Sequence, residues 1–222
     1  KDFISFFKEN DFHVGVSLDG PRKIHDANRK YANGHGSFDV ILRKIITAKE
    51  YDLRIGALAV LTKISINRAE EIYEFFKNLR LPFNFEPVTP VGGIEKIYPH
   101  LSLTPEEYSD ATIRIFDLWF FDEARIEVKP PSALAMAVLL DGFSGDCTFT
   151  GNCMEEYISI DPLGNVFPCN RFASLPDFAL GNLKASSLAD ILKSPVREGL
   201  MTQSAATFEE CRMCDVQKFC NG

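Results

Sequence analysis

Apolar residues along the first 125 positions fall into two alternating patterns, short runs of β-branched residues and longer stretches at helical spacing. Residues 1–10 place Phe3, Phe6 and Phe7 on one side of a helix end. Residues 13–18 (HVGVSL) form a compact apolar run that predicts a strand, stopped by the turn signal Asp19-Gly20-Pro21. A helix is expected after Ser37, capped by that serine, with Asp39 in its first turn and Phe38, Ile41, Leu42, Ile45 and Ile46 on its apolar face. Residues 55–61 (IGALAVL) predict a second strand. Asn67 with Glu70 three residues on has the form of a capping box, opening a helix whose apolar side is Ile72, Tyr73, Phe75, Phe76 and Leu79. Residues 83–88 predict a third strand. Thr104, Pro105 and Glu107 supply cap, first-turn proline and returning glutamate for a helix carrying Ile113, Phe116, Leu118 and Trp119.

Strands read as buried on both faces, alternating with amphipathic helices, predict a parallel α/β sheet. Three strands are too few to close a barrel, and the chain opens inside a helix, so the expectation is a piece of a larger α/β protein. Beyond residue 125 the character changes. Residues 127–131 read as a linker. Tyr157, Ile158, Ile160, Val166 and Phe167 flank Asp161-Pro162-Leu163-Gly164, the pattern of a hairpin whose turn ends in a left-handed residue. A helix is expected after Ser187, with Leu188, Ile191, Leu192 and Leu200 on one face.

A net charge of −7 argues against a nucleic-acid surface, which would require a basic stripe. No apolar stretch is long enough to span a membrane, and residues 1–10 do not resemble a signal peptide. Without a secretory signal, cysteines are better read as metal ligands than as a disulfide framework. All six lie in the last third: Cys147, Cys153 and Cys169, then Cys211, Cys214 and Cys220. A C-x-x-C pair sets two thiolates on a tight turn, close enough for one metal. Each group supplies three ligands where zinc and cubane iron–sulfur clusters usually take four, and the spacing fits zinc and iron–sulfur equally, disulfides less well.

Two stretches carry a resemblance. Val16-Ser17-Leu18-Asp19-Gly20-Pro21, then His25-Asp26, Arg29 and Gly36-Ser37-Phe38, is similar to the fourth barrel strand of radical S-adenosylmethionine enzymes and the helix entry after it. Cys153-x10-Gly164-x4-Cys169 followed by Cys211-x2-Cys214-x5-Cys220 resembles the cysteine signature of those enzymes that carry a SPASM domain. The resemblance implies an α/β fold: the C-terminal half of a partial (β/α)6 barrel over residues 1–126, then a small cysteine-rich α+β SPASM domain over 127–222. It implies that Cys147, Cys153 and Cys169 serve one auxiliary [4Fe–4S] cluster and Cys211, Cys214 and Cys220 a second. A third cluster is expected on a CxxxCxxC motif upstream of Lys1. This chain has no such triplet, and by itself it is expected to be inactive.

Ser17, Asp19 and Arg29 are the expected binding residues for S-adenosylmethionine, with Ser17 and Arg29 on its carboxylate. A serine hydroxyl and a guanidinium fork suit that group, although Asp19-Gly20-Pro21 makes a turn in any protein and Arg29 could equally serve a surface ion pair. His25 reads as a loop residue satisfied by Asp26 or backbone. No catalytic base is evident. The implied function is a radical maturase acting on a peptide or protein, fed by an electron donor such as flavodoxin or ferredoxin, in the cytoplasm. In the sulfatase-maturing branch an acid follows the cysteine that ends the hairpin. Asn170 stands there in this chain and cannot take a proton, so the expectation favours oxidation or cross-linking of a ribosomally made peptide, with sulfatase maturation as the alternative. A zinc-binding module without redox chemistry is the rival from another class.

Overall fold

The computed structural model describes residues 2–88, 99–142, 146–151, 153–173, 175–202 and 208–221. They divide into two units, one running to Ser132 and the other starting at Ala133.

In the first unit, helix α1 (Asp2–Glu9) leads into strand β1 (Val14–Ser17). Helices α2 (Arg22–Asn28) and α3 (Phe38–Glu50) follow, then β2 (Ile55–Leu61), α4 (Ala69–Asn78), β3 (Phe83–Pro87) and α5 (Pro105–Phe120). The strands pair in parallel in chain order, with Ser17 beside Leu58 and Leu58 beside Asn84. Residues 127–131, expected as a linker, instead carry strand β4 (Val128–Lys129), parallel to β3 through Phe83 and Asn84. The run is too short for strand periodicity to show, and it is Val128, fully buried, that anchors it.

The strands are not buried on both faces. Ala57, Ala59, Leu61, Phe83 and Phe85 join one core with Ile72, Tyr73 and Phe76 of α4 and Ala111 and Ile115 of α5. Alternate residues point the other way: Gly15 and Ser17 are exposed, and Leu58 is 46% exposed. Apolar composition on both faces hid a one-sided sheet, because Gly15, Gly56 and Leu58 read as apolar whether or not anything covers them. Phe76 stacks on Phe83 at 4.4 Å between centroids. Each such side chain contributes about 1.5–3 kcal/mol by burial.

The caps differ in detail from the sequence expectations. Thr104 forms the full capping box with Glu107, as expected. Asn67 does not cap α4, because residues 66–68 form a 3-10 turn and the helix starts at Ala69. Ser37 makes no side-chain cap to α3; Asp26 accepts from Phe38 N at 3.0 Å instead.

In the second unit, α6 (Pro131–Leu139) runs in from the boundary, α7 (Cys153–Glu156) follows, and the hairpin forms as expected. Strands β5 (Ser159–Ile160) and β6 (Asn165–Phe167) pair antiparallel, and Gly164 at φ +90° supplies the left-handed turn residue. A third strand, β7 (Gly181–Asn182), pairs with β6. The helix expected after Ser187 is two helices, α8 (Leu188–Ile191) and α9 (Pro195–Met201), because Pro195 cannot continue the first and Ser194 caps the second. Two further short helices are α10 (Glu209–Arg212) and α11 (Gln217–Cys220). The core cluster around this sheet is small among the described residues: Val166, Leu180 and Ile191, with Ile158 and Val196 against it.

Candidate cofactor and metal sites

β1 ends at Ser17 because Asp19-Gly20-Pro21 turns the chain: Gly20 sits at φ +127°, and a side chain there would meet Ile72 Cγ1 at 3.1 Å. Leu18 N still donates to Leu58 O. The next donor of β2, Val60 N, finds the Asp19 carboxylate at 2.9 Å instead of backbone. Arg29 then closes on the same carboxylate as a fork, Nε to Oδ2 at 2.7 Å and Nη2 to Oδ1 at 3.0 Å.

Asp19 is 2% exposed, and its two oxygens accept from three protein N–H groups. Its carboxylate is engaged with Arg29 and Val60 N. The Arg29 side chain is 31% exposed, its Nη1 takes no part in the fork to Asp19, and Ser17 is exposed at the strand's carboxyl end. Parallel sheets bind ligands at that end. On the open face of the sheet, a cleft of about 350 Å³ is lined by residues including His13, Gly15, Leu58, Asn84 and Lys129.

His25 lies in α2, fully buried, not in a loop. Its partners are the backbone N–H of Asp19 and the hydroxyl of Ser37. The sequence offered no sign of the second pairing, because residues 25 and 37 are brought together only by the chain reversal between α2 and α3.

In the second unit, Cys169, Cys211, Cys214 and Cys220 are free thiols, Cys169 and Cys211 half-buried and Cys214 and Cys220 exposed, and Cys147 is exposed as well. The side chain of Cys153 lies outside the described residues. Cys169 follows β6, with its sulfur 3.2 Å from Asn170 Oδ1. Cys211 lies in α10 and Cys214 just after it, with Cys214 N donating to Cys211 O in the tight turn of the C-x-x-C pair. Cys220 ends α11. The next residue, Asn221, donates to Phe149 O at 2.6 Å, and Lys218 pairs with Asp141 at 3.0 Å. These contacts bring the loop of Cys147 and the turn of Cys220 into one neighbourhood.

Among the described residues, no three His, Cys, Asp or Glu side chains are gathered closely enough to hold a metal ion. The donor set nevertheless fits a thiolate-ligated group: the cysteines lie in or beside short helices and turns, and the apolar core of this unit is small among the described residues.

Residues 147–215 match the SPASM family, an iron-sulfur cluster-binding domain. A solved structure described as native anSMEcpe with bound AdoMet and Kp18Cys peptide superposes on 100% of this chain and 61% of that one, with a TM-score of 0.84 and 26% identity. The chain carries a SPASM domain and is similar over its whole length to radical S-adenosylmethionine enzymes that have one. A cysteine-type anaerobic sulfatase-maturating enzyme of Clostridium novyi (strain NT) is 31% identical over 99% of this chain. The SPASM chain spans only 59% of that relative's length. Streptococcus suis SuiB bound to S-adenosylmethionine shares the fold, with a TM-score of 0.61 at 15% identity, over 100% of this chain and 57% of its chain. These relatives reverse the order given to the two maturase readings by Asn170: sulfatase maturation moves ahead of the wider class of peptide cross-linking. Among the described residues no helix is long and apolar enough to cross a membrane.

Proposed function

We propose that this chain serves a radical S-adenosylmethionine enzyme that oxidises a cysteine side chain in a sulfatase-type peptide. The observation that carries the reading is the 0.84 TM-score over the whole chain to a protein with bound AdoMet and a Cys-containing peptide. The 31% identity to a cysteine-type sulfatase-maturating enzyme supports the same substrate class.

When bound, S-adenosylmethionine and iron–sulfur clusters supply a 5′-deoxyadenosyl radical and one-electron transfer. The chain's own residues do the positioning. The Ser17 hydroxyl and Arg29 Nη1 hold the carboxylate of S-adenosylmethionine. Asp19, buried behind Arg29, fixes the guanidinium and neutralises it in part. Gly15 and Leu58 make the open face of the sheet apolar beside Ser17. Cys147, Cys153 and Cys169 hold one auxiliary cluster, and Cys211, Cys214 and Cys220 the other. Asn170 beside Cys169 does not take up a proton. An external electron carrier such as flavodoxin or ferredoxin completes the proposal.

The test is incubation of the whole enzyme that contains this chain, anaerobic and reduced, with S-adenosylmethionine and a cysteine-containing sulfatase peptide, read by mass spectrometry. The expected result is 5′-deoxyadenosine together with a mass change confined to the cysteine. Intact S-adenosylmethionine in a protein with its full iron content would sink the reading. A colourless protein holding zinc would leave a metal-stapled binding module.

A further inference from the structure

His25 has no part in holding the carboxylate, yet its hydrogen bonds lead to Arg29. Nδ1 accepts from the backbone N–H of Asp19 at 3.2 Å. A ring nitrogen that accepts carries no proton, so in the neutral ring the hydrogen sits on Nε2. Nε2 lies 2.9 Å from Ser37 Oγ. The Ser37 hydroxyl donates in turn to Arg29 O at 3.0 Å, leaving its lone pairs to accept from Nε2. One directed chain therefore runs from Asp19 N–H through His25 and Ser37 to the Arg29 carbonyl. The Asp19 carboxylate grips the Arg29 guanidinium from the other side. Arg29 is tied at both backbone and side chain, in a loop of hydrogen bonds closed through a fully buried imidazole.

We propose that His25 is a positioning residue that, with Ser37, fixes Arg29 so that its Nη1 is pre-organised for the carboxylate of an incoming ligand. The identity of that ligand as S-adenosylmethionine rests on the proposed function; the ordering of Arg29 does not. A long, flexible arginine loses much rotamer freedom when it binds, and ordering it beforehand removes that cost from the binding step.

The directed chain works with neutral His25 alone. A second ring proton would point Nδ1–H at the Asp19 N–H, setting two donors against each other and abolishing the hydrogen bond. Burial lowers the His25 pKa, opposed by Asp19 and Asp26 and reinforced by Arg29, which are the charged groups that reach it. The ring of Phe38 packs against it at 6.1 Å.

The experiment combines nitrogen-15 NMR of the Arg29 Nε–H with calorimetric binding of S-adenosylmethionine, on the wild type, Ser37→Ala, Ser37→Thr and His25→Asn. A slowly exchanging Arg29 Nε–H is expected in the wild type. It should be lost or broadened in Ser37→Ala and His25→Asn and restored in Ser37→Thr, which keeps the hydroxyl. Kd should rise about tenfold in the first two, with iron content unchanged. Wild-type affinity should fall as the pH drops below the ordinary histidine range of about 6.5, and His25→Asn should not show that fall. If His25→Asn does not fold, Ser37→Ala decides. An Arg29 signal unchanged in Ser37→Ala overturns the inference, as does a lost signal with unchanged affinity. A wild type that shows the ordered Arg29 but does not bind S-adenosylmethionine overturns the proposed ligand and leaves the ordering role standing.

Discussion

Asn221 donates its side-chain amide to the carbonyl of Phe149 at 2.6 Å, joining residues 72 positions apart and setting the turn after Cys220 against the loop of Cys147. Asn221 adopts φ 57°, a left-handed conformation that asparagine tolerates better than most residues. Asn221→Ala loses both the hydrogen bond and the conformational fit. A net hydrogen bond contributes about 1 kcal/mol, or roughly fivefold in a docking equilibrium. Iron should therefore leave the variant several-fold faster when a chelator is added, with the same iron content at the start. The measurement is the rate of iron release under anaerobic conditions.

Asp19 is the joint between β1, β2 and α2, since its carboxylate serves Val60 N and Arg29 together. Asp19→Ala leaves a guanidinium and a strand N–H without their acceptor. Breaking a buried charge pair by removing one partner costs about 3–5 kcal/mol; with Arg29 31% exposed, about 3 kcal/mol is expected. Thermal unfolding of the first unit reads this directly. Arg29→Ala strands the buried Asp19 carboxylate and should cost a similar amount, so a variant at either position that unfolds no earlier than wild type would remove Asp19 from this role.

Much of this architecture was legible because helices and strands state themselves through periodicity. The apolar faces of α3 and α4 and the β5–β6 turn could be read directly. The cysteine spacing pointed to the metal-binding domain before any fold was known. Other features depended on distance in space. Asp19 and Arg29 could be named as candidate site residues, but only the turn at Gly20 shows that the Asp19 carboxylate faces Arg29 and Val60 N. His25 and Ser37 were both in view, yet nothing in sequence joins them. β4 was missed because two residues carry no period. Asn170 argued against sulfatase maturation from one side chain, whereas the chain is similar over its whole length to sulfatase-maturating enzymes; one substituted acid weighs less than a fold shared over the whole chain.

Asp161 organises the hairpin turn. Its Oδ1 accepts from Leu163 N at 2.8 Å and Asn165 N at 2.9 Å, and its Oδ2 from the Asn165 side chain at 2.8 Å. The Asn165 side-chain hydrogen bond, followed by the backbone donors, holds its pKa below the ordinary value of 3.8. A depressed carboxylate pKa means that the folded hairpin prefers the ionised form. That contribution is complete above pH 3.8 and is lost as the pH falls through the lower, folded value. Amide exchange at Leu163 and Asn165 should therefore accelerate only on the acid side. Asp161→Asn should exchange faster at neutral pH and lose the acid dependence. Equal exchange in wild type and variant at pH 7 would show that the turn does not depend on the charge.

The two units differ in how much apolar surface they bury, and this sets what metal removal should do. The first unit has a continuous core running from Leu18 through Phe76 and Phe85 to Val128. The second has Val166, Leu180 and Ile191 at the centre of its small cluster, and thiols in the turns around it. A small core is ordinarily completed by a cross-link, and metal binding then becomes folding free energy. Anaerobic removal of iron should therefore abolish exchange protection in β5, β6 and β7 while leaving β2 and β3 protected. Cys169→Ala and Cys214→Ala should each remove part of the iron and lower that protection in proportion, because each deletes one thiolate from one of the two groups. Hydrogen exchange resolved by peptide, before and after chelation, measures both effects. If β6 keeps its full protection in the iron-free protein, the hairpin does not need the cluster, and the cysteines of this unit do not staple the fold.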